Sequence, residues 1–135
     1  MMAAKSASEM MRTAEAFASA FAAEGVAVVS GMALGIDACA HEAALRVGGL
    51  TMAVLGCGVD VAYPRRHLSL YKRIEANGVI VSELPPGANP SQWTFPHRNR
   101  LLAALGDASL VVEASQASGA LQTANRALEL GRAVF

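Results

Sequence analysis

The segment SQWTFPHRNR, residues 91–100, concentrates residue types that can hold a nucleic acid. Arg98 and Arg100 each offer several hydrogen-bond donors in one plane, which suits a phosphate group. Trp93 and Phe95 offer flat aromatic faces on which bases can stack. Because the segment adjoins glycine-rich stretches, we favour phosphate binding for the two arginines.

A structural role is the alternative for the same segment. Phe95 or Trp93 would then anchor it in the core, and an arginine would pair with a glutamate such as Glu83 or Glu113. For Trp93 and Asn99 the structural and binding interpretations both stay open.

The stretch SGMALGID, residues 30–37, is a second candidate for anion binding. It begins with Ser30, follows an apolar run and opens a helical pattern, an arrangement that aims backbone N–H groups at a negative charge. Gly31 and Gly35 permit close backbone approach or a positive φ. Asp37 could instead cap an ordinary strand-to-helix turn.

Two further loops carry small residues that leave room for a ligand. Ser118 and Gly119 open the last helical pattern and form another candidate anion nest, although Ser118 could simply be an N-cap. Gly56 and Gly58 follow an apolar run, and Asp60 either accepts from a sugar hydroxyl or stabilises a turn.

The sequence does not support metal binding. It contains no CxxC or HxxxH spacing, and Cys39 and Cys57 are isolated and expected to be free thiols. Asp37 and His41, four residues apart, share a helix face. They could form a structural hydrogen bond or contact a ligand, and we favour the structural role. We predict neither a metal nor another cofactor.

Apolar patterns alternate between helix and strand along the chain. They predict helices over residues 8–24, 36–49, 65–76, 97–105 and 118–132. They predict strands over residues 26–30, 51–56, 78–83 and 108–114, with a fifth begun by the final AVF. We expect Ser8 to cap the first helix and Gly25 to end it.

This alternation predicts an α/β fold with a mainly parallel sheet and helices on both faces. The loops after the carboxyl ends of such strands line the ligand crevice. All the unusual residues fall in these loops, so the sequence predicts a single binding edge. No repeat or change of composition divides the chain, and we expect residues 1–135 to form one domain.

Charge is unevenly distributed, although the formal net charge is zero. Residues 1–64 carry three Lys/Arg against six Asp/Glu, and residues 65–135 carry eight against five. A local basic surface of this kind can attract phosphates. No apolar run reaches the roughly 18 residues of a membrane span, and no signal peptide is evident, so we expect a cytoplasmic protein without membrane contact.

Five motifs in order resemble the DNA-processing protein A (DprA/Smf) family, namely VVSGMALGIDACAHEAAL, AVLGCGVDVAYP, SELPPG, FPHRNR and VVEASQASGALQTANRALELGR. The similarity runs from about Gly25 to Phe135. It implies a Rossmann-like three-layer sandwich that binds single-stranded DNA, protects incoming strands and loads the RecA recombinase during natural transformation of competent cells. It also implies a homodimer that is not an enzyme.

Carried over by position, the resemblance assigns DNA binding to the predicted loops, namely to Ser30, Gly31, Phe95, Arg98, Asn99 and Arg100, with Ser118 and Gly119 nearby. The family domain usually begins with a strand that ends in a Gly-Ser-Arg-like phosphate loop, and it continues beyond the position of GRAVF. We expect the chain to be truncated at both ends, with absence of the first strand as the alternative at the N-terminus. Leu34 stands where members often carry a basic residue. Both departures predict weaker DNA binding.

Two other functions compete with DNA binding. The first is a nucleotide-binding or nucleotide-hydrolysing protein similar to the LOG phosphoribohydrolases, whose PGGxGT stretch is replaced here by SQASGALQTA. The second is a structural fragment that only dimerises, through the apolar face of the last helix and strand.

Overall fold

The computed structural model describes residues 6–114 and 118–135, in which short strands alternate with helices. The strands are β1 (Val28–Ser30), β2 (Thr51–Val54), β3 (Val79–Val81), β4 (Ala108–Ser109) and β5 (Ala133–Val134). The helices are α1 (Ala7–Ala23), α2 (Ile36–Arg46), α3 (Leu68–Asn77), α4 (Thr94–Leu105) and α5 (Gly119–Glu129), with a 3₁₀ turn at Arg65–His67 before α3.

The strands form two parallel ladders. β2 lies between β1 and β3, with Val28 opposite Thr51 and Met52 opposite Val79. β4 and β5 form the second ladder. Because β1, β2 and β3 run in the same direction, their carboxyl ends lie at one edge, and the loops that follow them start there.

The helices group around this sheet in two sets. α1 packs on α2 and α2 on α3, while α4 pairs with α5. α2 and α3 contact β2, and α4 contacts both β1 and β2. The predicted α/β fold, Rossmann-like with a mainly parallel sheet, is confirmed.

Small side chains bring α1 close to the rest of the fold. Ala14, Ala18 and Ala22 are buried at four-residue spacing on one face of this helix. Gly49 lies so near that an added Cβ would come 2.5 Å from the Cβ of Ala22. Larger side chains dominate the cluster between β2 and α3, which comprises Met32, Ala53, Leu55, Cys57, Leu70, Tyr71 and Ile74.

Ser6 caps α1, so the prediction that Ser8 does so was wrong. The Ser6 hydroxyl accepts from the Glu9 N–H, and the Ser6 N–H donates to the Glu9 carboxylate at 2.7 Å, a reciprocal capping box. Ser8 lies inside the first turn. The apolar spacing from Met10 onward indicates the helix, whereas the S-x-x-E spacing of Ser6 and Glu9 marks its cap.

α4 begins at Thr94, three residues before its predicted start. Pro96 fits because it falls in the first turn, where its missing N–H leaves no helical hydrogen bond unmade. Arg98 and Arg100 therefore lie in the second turn, and the free amides of the helix start belong to earlier residues.

The strand predicted over residues 108–114 is shorter in the structure, where its regular pairing covers Ala108 and Ser109. Val111 extends the contact by donating its N–H to the carbonyl of Phe135. An apolar run indicates burial, but it does not predict how many of its residues pair with a neighbouring strand.

Candidate nucleic-acid interface

Arg98 joins the carboxyl ends of β1 and β2. Its Nη1 donates to the carbonyl of Gly31 at 2.7 Å and to that of Val54 at 2.6 Å. α4 supplies this side chain because the helix contacts both strands. One guanidinium nitrogen thus fixes the starting points of two loops at the predicted binding edge.

Arg98 is buried, with 7% of its surface exposed. Burial lowers the pKa of Arg98, and the negative charge of Asp37 opposes that change. Gly31 leaves the necessary space, since a Cβ there would lie 2.5 Å from Nη1. The Arg98 Nε donates to Asn99 Oδ1 at 3.2 Å. Of the three guanidinium nitrogens, only Nη2 has no acceptor among the described residues. Phosphate binding by Arg98 stays a prediction for that one nitrogen.

Several of the predicted residues form one row across the edge. Arg98 lies between the Gly31 carbonyl and the Asn99 side chain. The Asn99 amide nitrogen in turn lies close to Gly119, where an added Cβ would come within 3.1 Å of it. Ser118 precedes that glycine and caps α5 with its hydroxyl. The structure therefore brings together loops that are up to 88 positions apart in numbering, from Gly31 to Gly119.

The turn after β1 already holds a carboxylate on its backbone amides. Asp37 Oδ2 accepts from the Gly31 N–H at 3.2 Å and from the Ala33 N–H at 3.1 Å. Met32, between them, has a φ of 63°, a left-handed conformation that these two bonds stabilise. Ser30 is half-buried at the end of β1. Asp37 therefore organises the turn, and anion binding by Ser30 and Gly31 stays a prediction.

α2 carries two further residues singled out in the sequence. Gly35 precedes the helix with a φ of 87° and has open space around it. Its positive φ, and not a lack of room for a side chain, therefore favours glycine at this position. His41 is fully buried, and its Nδ1 lies 2.7 Å from Thr51 Oγ1. His41 thus bonds to Thr51, while Asp37 bonds to the backbone of the turn after β1, so the hydrogen bond suggested between His41 and Asp37 is not formed.

The two aromatic residues of the 91–100 segment have different environments. Phe95 is half-buried and stacks on Tyr63 with ring centroids 5.7 Å apart, and the Arg98 guanidinium lies 5.9 Å from its ring. Trp93 is 75% exposed. Phe95 therefore anchors the segment, while Trp93 presents an uncovered aromatic surface.

The glycines of the loop after β2 accommodate other parts of the protein. A Cβ on Gly56 would meet the Phe95 ring at 2.9 Å, and one on Gly58 would meet the Pro85 carbonyl at 2.7 Å. Asp60 accepts from the Gly87 N–H at 2.7 Å. Of the two roles considered for Asp60, this contact corresponds to stabilising a turn. Protein atoms occupy the space that a Cβ on either glycine would need. Gly56 also borders a cleft at this edge, so room for a ligand beside it stays a prediction.

Arg100 forms an ion pair with Glu83, one of the partners that the sequence left open for an arginine. His97 joins them, with its Nε2 2.9 Å from Glu83 Oε1 and 3.0 Å from an Arg100 nitrogen. Glu83 and His97 border a cleft of about 280 Å³ whose lining includes Trp93 and Leu84. Phosphate binding by Arg100 stays a prediction, and it would compete with this ion pair.

Arg65 and Arg66 are cations that the sequence did not assign to the site. Both are exposed in the 3₁₀ turn, and neither forms an ion pair within the part of the chain that the structure describes. His67, in the same turn, places its Nδ1 3.1 Å from the carbonyl of Met32. This contact brings the turn beside the loop after β1. The only sequence signal for it was a pair of adjacent arginines after a strand-end loop.

Metal ligands do not cluster in the structure: among residues 6–114 and 118–135, no three His, Cys, Asp or Glu side chains are arranged to hold an ion. Cys39 and Cys57 are free thiols, and burial raises the pKa of each. Cys57 donates to the Val61 carbonyl at 3.3 Å. No helix within the described ranges is both long and apolar enough to cross a membrane.

Comparison with known sequences identifies relatives over most of the chain. The profile of the family described as DNA recombination-mediator protein A matches residues 3–135. Protein Smf of Synechocystis sp. is 51% identical over 111 residues, which are 82% of this chain and 28% of that protein. Protein Smf of Escherichia coli is 48% identical over 120 residues, 88% of this chain and 32% of that protein. This chain thus spans about a third of the length of the curated relatives it matches.

Two solved structures have the same fold. The DNA processing protein A of Streptococcus pneumoniae superposes with a TM-score of 0.85 at 41% identity, covering 94% of this chain and 44% of that one. The corresponding protein of Helicobacter pylori, whose structure is described in terms of a single-stranded DNA binding mode, gives a TM-score of 0.82 at 32% identity. That match covers 94% of this chain and 58% of the Helicobacter chain.

Proposed function

The chain belongs to the DNA recombination-mediator protein A family, and from that membership we propose that it binds single-stranded DNA at the carboxyl edge of its sheet. The observation that carries the proposal is the row of loops joined by Arg98 and Asn99, together with the fold shared with the Helicobacter pylori protein. Cations and an exposed aromatic side chain meet at this edge, as phosphate and base recognition require.

The contacts divide into two groups. Arg98 and Asp37 act within the protein, because they fix the carbonyl and the amides of the turn after β1. Arg65, Arg66 and Arg100 have more exposed guanidinium groups and provide the charge for the phosphates. Binding therefore needs the positioning residues to hold the loops and the exposed ones to contact the strand.

The finer role is part of the same proposal. The chain would protect incoming single strands and load the RecA recombinase onto them during natural transformation, as a homodimer in the cytoplasm. Residues 1–135 would act as one domain without a catalytic step, because the edge supplies binding groups for a polymer and no cofactor is needed to bind one.

The test is fluorescence anisotropy of a labelled single-stranded oligonucleotide, titrated with the protein at several salt concentrations. We expect single strands to bind in preference to a duplex of equal length, with log K falling by about 0.7 per phosphate neutralised as log salt rises. Competition by a mononucleotide alone would favour the nucleotide-binding alternative, and release of free base would favour the LOG-type enzyme. Absence of binding to any nucleic acid would contradict the proposal.

A further inference from the structure

We propose that the cleft between the turn after β3 and the start of α4 holds one unstacked nucleobase, with Trp93 as its stacking wall and Glu83 as an acceptor for an amino group of that base. The inference rests on the proposed function, since it assigns part of the edge to the bases of the bound strand. The ligand class is a cytosine, adenine or guanine base, each of which carries an exocyclic amino group.

The size and lining of the cleft suit a single planar ring system. Its volume is about 280 Å³, just below the range of about 300 Å³ upward that holds drug-sized ligands. Leu55, Gly56 and Leu84 supply apolar lining, and Glu83, Thr94, His97 and Arg98 supply polar groups. A mixed lining of this kind fits a base, which has apolar faces and a polar edge.

Trp93 is held by its backbone while its side chain stays uncovered. The Trp93 N–H donates to the Ser91 hydroxyl at 3.3 Å, and Thr94 donates its hydroxyl to the Ser91 carbonyl at 2.9 Å. These bonds fix the turn that leads into α4, yet 75% of Trp93 is exposed. An aromatic side chain of this size gains stability when covered, and a base can cover it at small entropic cost because the backbone is already ordered.

Glu83 gives the cleft an acceptor without leaving a bare negative charge beside the DNA. Arg100 pairs with one carboxylate oxygen, and His97 approaches the other at 2.9 Å. Each oxygen keeps a further lone pair for an N–H donor. Thymine offers no exocyclic amino group, so the cleft should prefer the other three bases.

The first experiment uses the emission of Trp93, which is the only tryptophan of the chain. Oligo(dC), oligo(dT) and an abasic strand of equal length are added, and anisotropy of a label confirms saturation. We expect quenching with oligo(dC), weaker quenching with oligo(dT), and none with the abasic strand, which has the phosphates but no base to stack. Quenching by the abasic strand equal to that by oligo(dC) would overturn the stacking role.

The second experiment measures affinity. Trp93→Ala should weaken binding of oligo(dC) roughly 5- to 150-fold, the range for one stacked base, and leave the affinity for the abasic strand unchanged. Phe17→Ala is the matched control, because Phe17 is an exposed aromatic on α1 far from this loop in the chain and should have no effect. Wild-type affinity of a folded Trp93→Ala variant would overturn the inference, while the proposed function would stand.

The third experiment tests Glu83. We expect wild-type protein to bind oligo(dC) about tenfold more tightly than oligo(dT), the effect of one hydrogen bond to a charged acceptor. Glu83→Gln should reduce this ratio toward one, because its amide offers both a donor and an acceptor. An equal ratio in wild type and variant would remove Glu83 from the proposal. If no strand binds the wild-type protein at all, the proposed function and this inference both fail.

Discussion

Arg98 and Arg100 have the same chemistry and opposite surroundings. Arg98 donates to two strand-end carbonyls inside the protein, and Arg100 pairs with Glu83 at the surface. The buried arginine supports the turn after β1 from the carbonyl side, while Asp37 supports it from the amide side. A side chain with these partners affects binding mainly through the shape of the edge.

Replacing Arg98 with methionine should therefore change stability first. We expect the free energy of unfolding to fall by about 1–3 kcal/mol or more, because the carbonyls of Gly31 and Val54 lose their donor. DNA affinity should fall as the turn loosens, while the slope of log K against log salt changes by less than half of the roughly 0.7 expected for one phosphate contact. Urea unfolding and salt-dependent anisotropy measure the two effects.

The matched control is Arg100→Met, two residues along the same helix. It should leave unfolding nearly unchanged, because surface ion pairs contribute about 0–1 kcal/mol. If Arg98→Met reduced the salt slope by a full phosphate and left stability intact, Arg98 would be a phosphate ligand instead of a positioning residue.

His41 is buried with only one of its two ring nitrogens paired. Thr51 donates its hydroxyl to the Val28 carbonyl, so it can only accept from the His41 Nδ1–H. Nε2 then carries a lone pair and has no partner among the described residues. Burial lowers the pKa of His41 to about 4, and the charge of Asp37 partly opposes this.

Stability should therefore fall as the solution becomes more acidic. The unfolded chain takes up a proton on His41 below pH 6.5, while the folded protein resists it until about pH 4. The free energy of unfolding therefore keeps its full value above pH 6.5 and decreases as the pH falls from 6.5 toward 4. At pH 5 the decrease due to His41 is about 2 kcal/mol. Urea unfolding at pH 7.5 and pH 5 measures it, with His41→Gln expected to lose this part of the pH dependence.

The exposed His97 is the control for that measurement. His97→Gln should retain the difference in unfolding free energy between the two pH values. An unchanged pH dependence in His41→Gln would mean that other groups cause it.

At the scale of the element, α1 shows how one cap determines a helix start. Ser6 and Glu9 satisfy each other's backbone N–H groups, and the buried alanines then dock the helix on α2. The helix is joined to the rest of the fold through these small contacts, so fraying at its start should reach the core.

Ser6→Ala should reduce the free energy of unfolding by about 0.5–2 kcal/mol, since the Glu9 N–H loses its side-chain acceptor and keeps only the Ser6 carbonyl. Ser8→Ala, two residues away, should change it less, because Ser8 accepts from no helix-start amide in the structure. Chemical denaturation of both variants gives the comparison. Equal losses would show that the capping box does not stabilise α1.

At the scale of the whole molecule, zero net charge conceals a separation of charge. The acidic excess lies in residues 1–64 and the basic excess in residues 65–135, which include Arg65, Arg66 and all of α4. DNA responds to the local field at the edge, so the position of a cation matters more than the total.

Replacing both Arg65 and Arg66 with alanine should lower the salt slope for single-stranded DNA by about 1.4, or 0.7 for each lost contact. The control is Arg12→Ala with Lys72→Ala, which removes the same net charge from exposed positions on α1 and α3. Salt-dependent anisotropy on both variants decides the question. Equal slopes would mean that net charge, and not the edge, governs binding.

Local patterns predicted much of the fold. The alternation of apolar runs and helical spacing predicted parallel pairing and the edge at which the loops meet, because periodicity and glycine stops act over a few residues. The same patterns misplaced the cap of α1 and the start of α4. Both errors involve single residues, Ser8 and Pro96, whose roles depend on which turn they occupy.

The sequence by itself determined the α/β order of elements and the loops that form the candidate site. Only the tertiary structure decided what each side chain in those loops does. Gly31 and Arg98 are 67 residues apart in the chain and touch in the fold, and no local pattern reports such a contact. Arg98 and Arg100 are two positions apart on α4, about 200° around the helix, so one side chain enters the protein while the other faces its surface.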